Sequence, residues 1–385
     1  MTSRVPPALV SAALALAAPV CLAQTTLQLE AAPERNGFAF YLEQDLFYPP
    51  GNQDRNYTMG LGLAVAGPFA ANRVTDGALD IVDRGFDLLY GNTIGRWAPL
   101  RTRLVDAQAE SGVTPHSLLL SGTAFSPDDL RATAPVAGDR PYAFLLGLTA
   151  RRSAIAATYD RSIGSELTLG VLGLPIGEAV QTAIHQTNRR ITGDEKPYDP
   201  LGWHNQIGVG GAPTARYAVT YERLIGKRPP TLNATRHFDH SASVTGQIGY
   251  YTDLGVGYTA RLGRFQSEFW EFRSSPLAGM SKADAVPMPN RIDAFVFAAV
   301  RPRIVGYNAL LQGWIIGRNP YTVDAGDVQR LVVEGEAGAN LTFRFGRDRA
   351  RTLSLTGLFP AFRTADVRGN YARTHTWASA FIAFQ

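Results

Sequence analysis

A single cysteine, Cys21, occurs among 385 residues, which excludes a disulfide framework. Beyond the N-terminus no apolar run approaches the roughly 18 residues that a spanning helix needs. Basic residues scarcely outnumber acidic ones, 37 against 33 for a net charge of +4, and no basic block resembles a nucleic-acid tract. Gly-x-Ser-x-Gly, Walker and dinucleotide fingerprints are all missing. None of these absences excludes a membrane. A spanning strand needs only about 9–11 residues with every second one apolar, so a barrel has an ordinary average hydropathy.

What is present begins with an export signal. Arg4 supplies a sparse positive region, Ala8 to Ala18 is apolar, and "VCLA" offers a small-residue cleavage site after Ala23. Cleavage there predicts residues 1–23 as a signal peptide and a cysteine-free single domain over residues 24–385. Proline and glycine are scattered as turn punctuation, with no domain linker. Arg189 to Pro200 and Pro276 to Pro289 read as extracellular loops.

The clearest pattern is "LVVEGEAGANLTFRF", Leu331 to Phe345. Leu331, Val333, Ala337, Ala339, Leu341, Phe343 and Phe345 fall on one face, with Glu334, Glu336, Asn340, Thr342 and Arg344 opposite. "RYAVTYERL" sets Tyr217, Val219 and Tyr221 against Arg216, Thr220 and Glu222. In "NYTMGLGLAVA", strict alternation groups Tyr57, Met59, Leu61, Leu63 and Val65 and places Thr58 with Gly60 and Gly62. "THTWASAFIAFQ" aligns Ala378, Ala380, Ile382 and Phe384 and ends one residue past a phenylalanine. Period-two runs longer than the usual soluble strand of about 5–6 residues predict a transmembrane antiparallel β-barrel. A soluble β-sandwich is the alternative, since its strands alternate too.

One segment breaks the period. In "LPIGEAVQTAIHQTNRR" (Leu174 to Arg190), Glu178, Gln181, His185 and Asn188 form a polar stripe on a loop helix of about three turns. His185 there is either a general base facing the strands or a surface histidine. In the first hairpin, Glu43, Asp45 and Asp54 are hard oxygen donors of the kind Ca²⁺ takes, or solvated turn charges. Arg140 in "GDRPYAFLLGL" reads as a lipid-phosphate ligand or as half of a loop salt bridge. His204 beside Trp203 has a catalytic and an interfacial reading, and "RHFDH" (His237, Asp239, His240) is short of a metal's ligand count.

Taken in order, "LEQDLF", "DRNYTMG", "GTAFSPDD", "GDRPYA", "GLPIGEAVQTAIH", "GWHNQI", "YERL", "FVFAAVRPRIVGYNALLQG" and "EGEAGANLTFRFG" resemble the outer-membrane lipid A deacylase family. The likeness runs from about Leu42 to the C-terminus. It implies a barrel of about twelve strands whose site lies between the wall and a loop helix, and hydrolysis of the 3′-O-linked acyl chain of lipid A. The family's active-site histidine falls on His185, its first-strand Asn-Asp pair on Gln44-Asp45, and its hydroxyl residue on Thr58. Calcium dependence places the cation near Asp45. Gln44 departs from the family's usual asparagine by one methylene. The implied partner is lipid A, or lipopolysaccharide, of the outer leaflet, met by a monomer. A phospholipase and a non-catalytic barrel acting as channel or scaffold are the alternative functions.

Overall fold

The structure, a computed structural model, describes residues 36–45, 55–92, 115–156, 158–193, 198–227, 234–271, 290–346 and 351–385. The expected signal peptide, Asp54 and the Pro276–Pro289 loop lie outside the described residues.

Alternating side chains become twelve strands: β1 (Gly37–Gln44), β2 (Asn56–Ala66), β3 (His116–Ser126), β4 (Ala143–Ile155), β5 (Arg161–Leu172) and β6 (Ala212–Ile225). They continue as β7 (Arg236–Gly249), β8 (Tyr251–Phe265), β9 (Ile292–Asn308), β10 (Leu331–Phe345), β11 (Arg351–Arg363) and β12 (His375–Phe384). Each pairs antiparallel with its chain neighbours, and β1 closes onto β12 from Phe38↔Phe384 to Gln44↔Ala378. Closure leaves no sheet edge, which is what a strand protein in hydrocarbon requires. Among the described residues no helix is long and apolar enough to cross a membrane.

The two faces separate as the patterns require. Arg216, Thr220, Glu222, Glu334 and Glu336 line an internal cavity of about 470 Å³. Leu331, Phe343, Phe345, Ile382 and Phe384 stand exposed on the outside. Lumen charges are paired across strands: Arg301 with Glu336 at 2.7 Å, Arg303 with Glu334 at 2.9 Å and Arg363 with Glu334 at 2.8 Å. Pairing is necessary there, because an isolated charge taken out of water costs several kcal/mol. Toward the chain-end rim, Tyr41, Phe265, Phe295, Phe297 and Phe381 form an apolar core inside the barrel.

With twelve antiparallel strands both chain ends lie at one rim, the periplasmic one in outer-membrane barrels. The β5–β6 connection leaves the far rim and the β8–β9 connection leaves the chain-end rim. The described ends of the Arg189–Pro200 segment therefore sit at the far rim, where an extracellular loop belongs. Among the described residues, two helices of appreciable length join strands: α1 (Arg73–Asn92) between β2 and β3, and α2 (Ile176–Thr192) between β5 and β6.

Buried ions tie the far rim together. Asp139, fully buried, accepts from the backbone N–H of Asp128 at 2.7 Å and of Arg140 at 2.8 Å, and from Arg373 at 2.6 Å. The Arg140 guanidinium lies 4.1 Å from the Phe125 ring centre and 3.5 Å from Asp366. Burial brings Arg140 down to about 10, against the pull of Asp366 and Asp139. Burial would raise Asp366, but the charges of Arg363, His375 and Arg140 hold its carboxyl down at about 2.

Two expectations follow. A carboxyl held below its ordinary value stabilises the fold above that value, and the contribution is lost as pH falls through about 2. Asp366→Asn should lower the heat-modifiability midpoint at neutral pH, for a cost of about 2 kcal/mol. The gap to the unsubstituted protein should close as the pH drops toward 2. Opposite a β11 bulge, a Cβ on Gly338 would overlap the Gly357 carbonyl and lie 2.7 Å from the Phe297 ring, whereas one on Gly357 meets nothing within 4 Å. Gly338→Ala should cost about 1–3 kcal/mol in the same assay and Gly357→Ala almost nothing.

Candidate active site on the outer wall

Strand β1 exposes Phe38 and Phe40 outward, so Gln44 shares their face while Glu43 turns to the lumen. Glu43 is held there by the Tyr57 hydroxyl and by Ser379 at 3.1 Å, apart from Asp45. Asp45 follows the strand and is 2% exposed. Its N–H donates to the Gln44 side-chain carbonyl at 3.0 Å, and its carboxylate accepts the Arg55 N–H at 3.1 Å. The two ends of the first turn are thereby stapled. Arg55 pairs in turn with Asp128, and Arg373 reaches Asn56 at 3.3 Å, so the rim network grips the returning strand.

That strand does not alternate as expected. Tyr57 pairs with Phe125 and Met59 with Ala124, leaving Thr58 as the extra residue of a β-bulge. Tyr57 points inward, packing on Phe125 and Trp377, while Met59 joins the outer cluster of Ala124, Phe144 and Trp203. Gly60 and Gly62 keep to the lumen, where a Cβ would strike Tyr57 and Tyr41. Grouping Tyr57 with Met59 is therefore corrected: Tyr57 belongs to the lumen and Thr58 to the outside. Thr58 is fully buried there, its hydroxyl bonded to that of Ser126.

Helix α2 packs against the Met59 side of this outer patch. This helix spans 17 residues, packs on β3 and β4, and buries Gly177, Gln181 and His185. Val180 and Ile184 pack on the cluster that contains Met59. The inward stripe is rotated from the expected one: Gln181 and His185 face the wall and Glu178 is exposed. Gly177 sets the approach, since a Cβ would lie 2.8 Å from the Trp203 ring and 2.9 Å from the Phe144 Cβ. Trp203 donates to the Gln181 carbonyl at 2.8 Å. A left-handed Gly193 ends the helix, with Arg189 and Arg190 in its last turn favouring the dipole.

His185 is fully buried, its Nδ1 lying 2.6 Å from the Tyr198 backbone carbonyl. A carbonyl only accepts, so Nδ1 carries a proton, and in the neutral ring the lone pair is on Nε2. That is the tautomer a general base needs. Gln44, Asp45 and Thr58 thus lie on the outer face of the barrel, and α2 sets His185 against the same face on β3 and β4. Arg140 is not with them: it sits on the lumen side of the rim beside Asp366. His204 is exposed next to Asn205, Asp239 turns inward to Arg261, and His240 turns outward to Tyr258.

Ser126 and the Tyr198 carbonyl escaped the reading of the sequence. Ser126 lies inside "GTAFSPDD" without a spacing to mark it, and a backbone acceptor has no signature in sequence. The side-chain donors at the hairpin are all oxygens (Asp45, Gln44, Thr58 and Ser126), with a buried carboxylate among them. That chemistry fits a hard cation such as Ca²⁺ better than a thiophilic metal. Among the described residues no group of three acidic, histidine or cysteine side chains is assembled.

Comparison with known proteins agrees with the fold. Residues 9–380 match the family profile described as "Outer membrane protein LpxR". By structure the chain is similar to LpxR from Salmonella typhimurium, with a TM-score of 0.60 at 17% identity, covering 90% of this chain and 99% of that one. The toluene transporter TodX of Pseudomonas putida is more distant, with a TM-score of 0.28 at 10% identity, covering 92% and 90%. Among curated proteins none matches by sequence. The long profile match and the closed twelve-stranded barrel place this chain in the LpxR family of outer-membrane proteins.

Proposed function

We propose that this protein hydrolyses the 3′-O-linked acyl ester of lipid A in the outer leaflet. The observation that carries the reading is the buried outer-wall patch of Asp45 and Thr58 together with a helix, packed on the neighbouring strands, whose histidine has its Nδ1 committed to a carbonyl. A surface histidine needs no such burial or orientation. Membership of the LpxR family supports the substrate class.

In the proposed reaction His185 Nε2 takes a proton from water, and the hydroxide formed attacks the ester carbonyl. The tetrahedral intermediate collapses with the 3′ oxygen as leaving group. The proton held on His185 returns to that oxygen, releasing a fatty acid and a free hydroxyl. The Tyr198 carbonyl keeps the ring oriented and stabilises the imidazolium while it holds the proton. Asp45, with the Gln44 amide and Thr58 hydroxyl oxygens, would hold Ca²⁺, which when bound supplies positive charge to the developing oxyanion. Gln44 is engaged with the Asp45 N–H, and its extra methylene is taken up in that local bond. The outer-wall position suits a substrate whose ester and acyl chain arrive laterally from the leaflet. Arg140, buried in the rim, acts here by fixing the loop and does not contact substrate.

Mass spectrometry of lipid A from cells with and without the protein tests the reading, with loss of one hydroxyacyl chain as the expected change. His185→Ala should lower turnover in calcium-containing detergent by about 10²–10⁴-fold with the barrel still heat-modifiable. Chelating calcium should abolish turnover without unfolding the barrel. Unchanged lipid A together with released lysophospholipid would transfer the site to a phospholipase, and His185→Ala at full activity would remove the proposed base.

A further inference from the structure

Helix α1 poses a question that the candidate site does not answer. Asp76, Asp80, Asp83 and Asp87 recur at intervals of four, three and four, which puts them on one stripe of the helix. Asp83 is fully buried. Its carboxylate accepts from Arg152 at 2.8 and 3.2 Å, from Ser165 at 2.9 Å and from Tyr217 at 2.6 Å. Asp80 adds a second contact to Arg152 at 2.6 Å, and Asp76 lies 2.9 Å from His116.

Parity fixes which side of the wall these partners occupy. Their immediate neighbours Arg151, Glu166 and Arg216 line the internal cavity. Side chains alternate along a strand, so Arg152, Ser165 and Tyr217 point outward. Helix α1 therefore lies against the outside of the barrel over β4, β5 and β6, near the chain-end rim where β4 finishes at Ile155. An arginine on the lipid side of a barrel costs about 2–4 kcal/mol near mid-membrane. The acidic stripe compensates it. The side turned away from the wall is mainly apolar: Val74 is 80% exposed, Ile81 75% and Leu88 66%, with Arg73 and Arg84 exposed along one margin, from which long side chains reach the headgroups. Leu79 and Phe86 pack inward beside the aspartates, but an acidic stripe against the wall and aliphatic side chains away from it invert the soluble amphipathic helix, whose apolar stripe turns to the protein. The same outer surface continues into Leu148 and Leu169, both exposed on the strands that α1 covers.

We infer that α1 is a lipid-embedded helix of the periplasmic leaflet, docked on the wall by Asp83 and Asp80, with Val74, Ile81 and Leu88 among phospholipid acyl chains. It extends the barrel's lipid-facing surface and covers a polar patch that would otherwise meet hydrocarbon. The inference stands on the outer-membrane barrel alone and is independent of the proposed deacylation.

Single cysteines at Ile81, Leu88, Leu169 and Ala325, each in a Cys21→Ser background and labelled with bimane, test it in phosphatidylethanolamine–phosphatidylglycerol vesicles. Heat-modifiability selects folded variants, with Val74→Cys replacing any that fails. Doxyl-labelled phospholipid should quench Ile81→Cys and Leu88→Cys as strongly as Leu169→Cys on the outer wall. Aqueous iodide should quench them roughly fivefold less than Ala325→Cys in an exposed loop. Adding Asp83→Ala should move the Leu88→Cys signal toward iodide as the helix undocks. Strong iodide quenching at both helix positions with Asp83 intact overturns the inference. So does shielding from both quenchers, the result expected if another part of the chain or a second copy covers the stripe.

Discussion

Between Tyr57 and Met59, strand β2 carries one residue more than β3 can pair, and the candidate site depends on where that residue goes. A β-bulge breaks alternation once and shifts every later side chain by one face. Here it leaves Tyr57 in the lumen with Glu43 and delivers Thr58 and Met59 together to the outside. The outer wall of a membrane barrel is a poor place for hydroxyls and carboxylates unless something covers them. Helix α2 packs on the Met59 cluster next to Thr58, with His185 on its buried face.

The same constraint governs the second helix. Arg152, Ser165 and Tyr217 face outward, and α1 lies on them with its acidic stripe. The barrel thus manages charge in two ways. Inside, arginines and glutamates pair across neighbouring strands around a cavity. Outside, two helices drawn from connections between strands lie against polar groups of the wall. One turns His185 toward the wall, and the other presents leucine, isoleucine and valine to the surroundings.

Much of the barrel was legible because its strands obey a strict period of two. Leu331–Phe345 and Tyr217–Glu222 sort between lumen and outside as their alternation requires. The α2 segment was legible by its change of period, though its inward face holds Gly177 and leaves Glu178 in the open. The bulge was not legible. Tyr57-Thr58-Met59 alternates as well as any triplet, and only the packing of Tyr57 with Glu43, Phe125 and Trp377 makes the slip favourable. Nor could local sequence place Arg140, whose partner Asp366 lies 226 residues away. The outward direction of Arg152 was equally hidden, because adjacent arginines at 151 and 152 give alternation nothing to sort.

The most direct test is to trap the bulge. Paired cysteines at Thr58 and Ser126, whose hydroxyls touch across β2 and β3, should form a disulfide in the folded barrel under mild oxidation. Cysteines at Tyr57 and Ser126, on opposite faces, should not. Crosslinking of the second pair and not the first would put Thr58 in the lumen, out of reach of His185, and contradict the account.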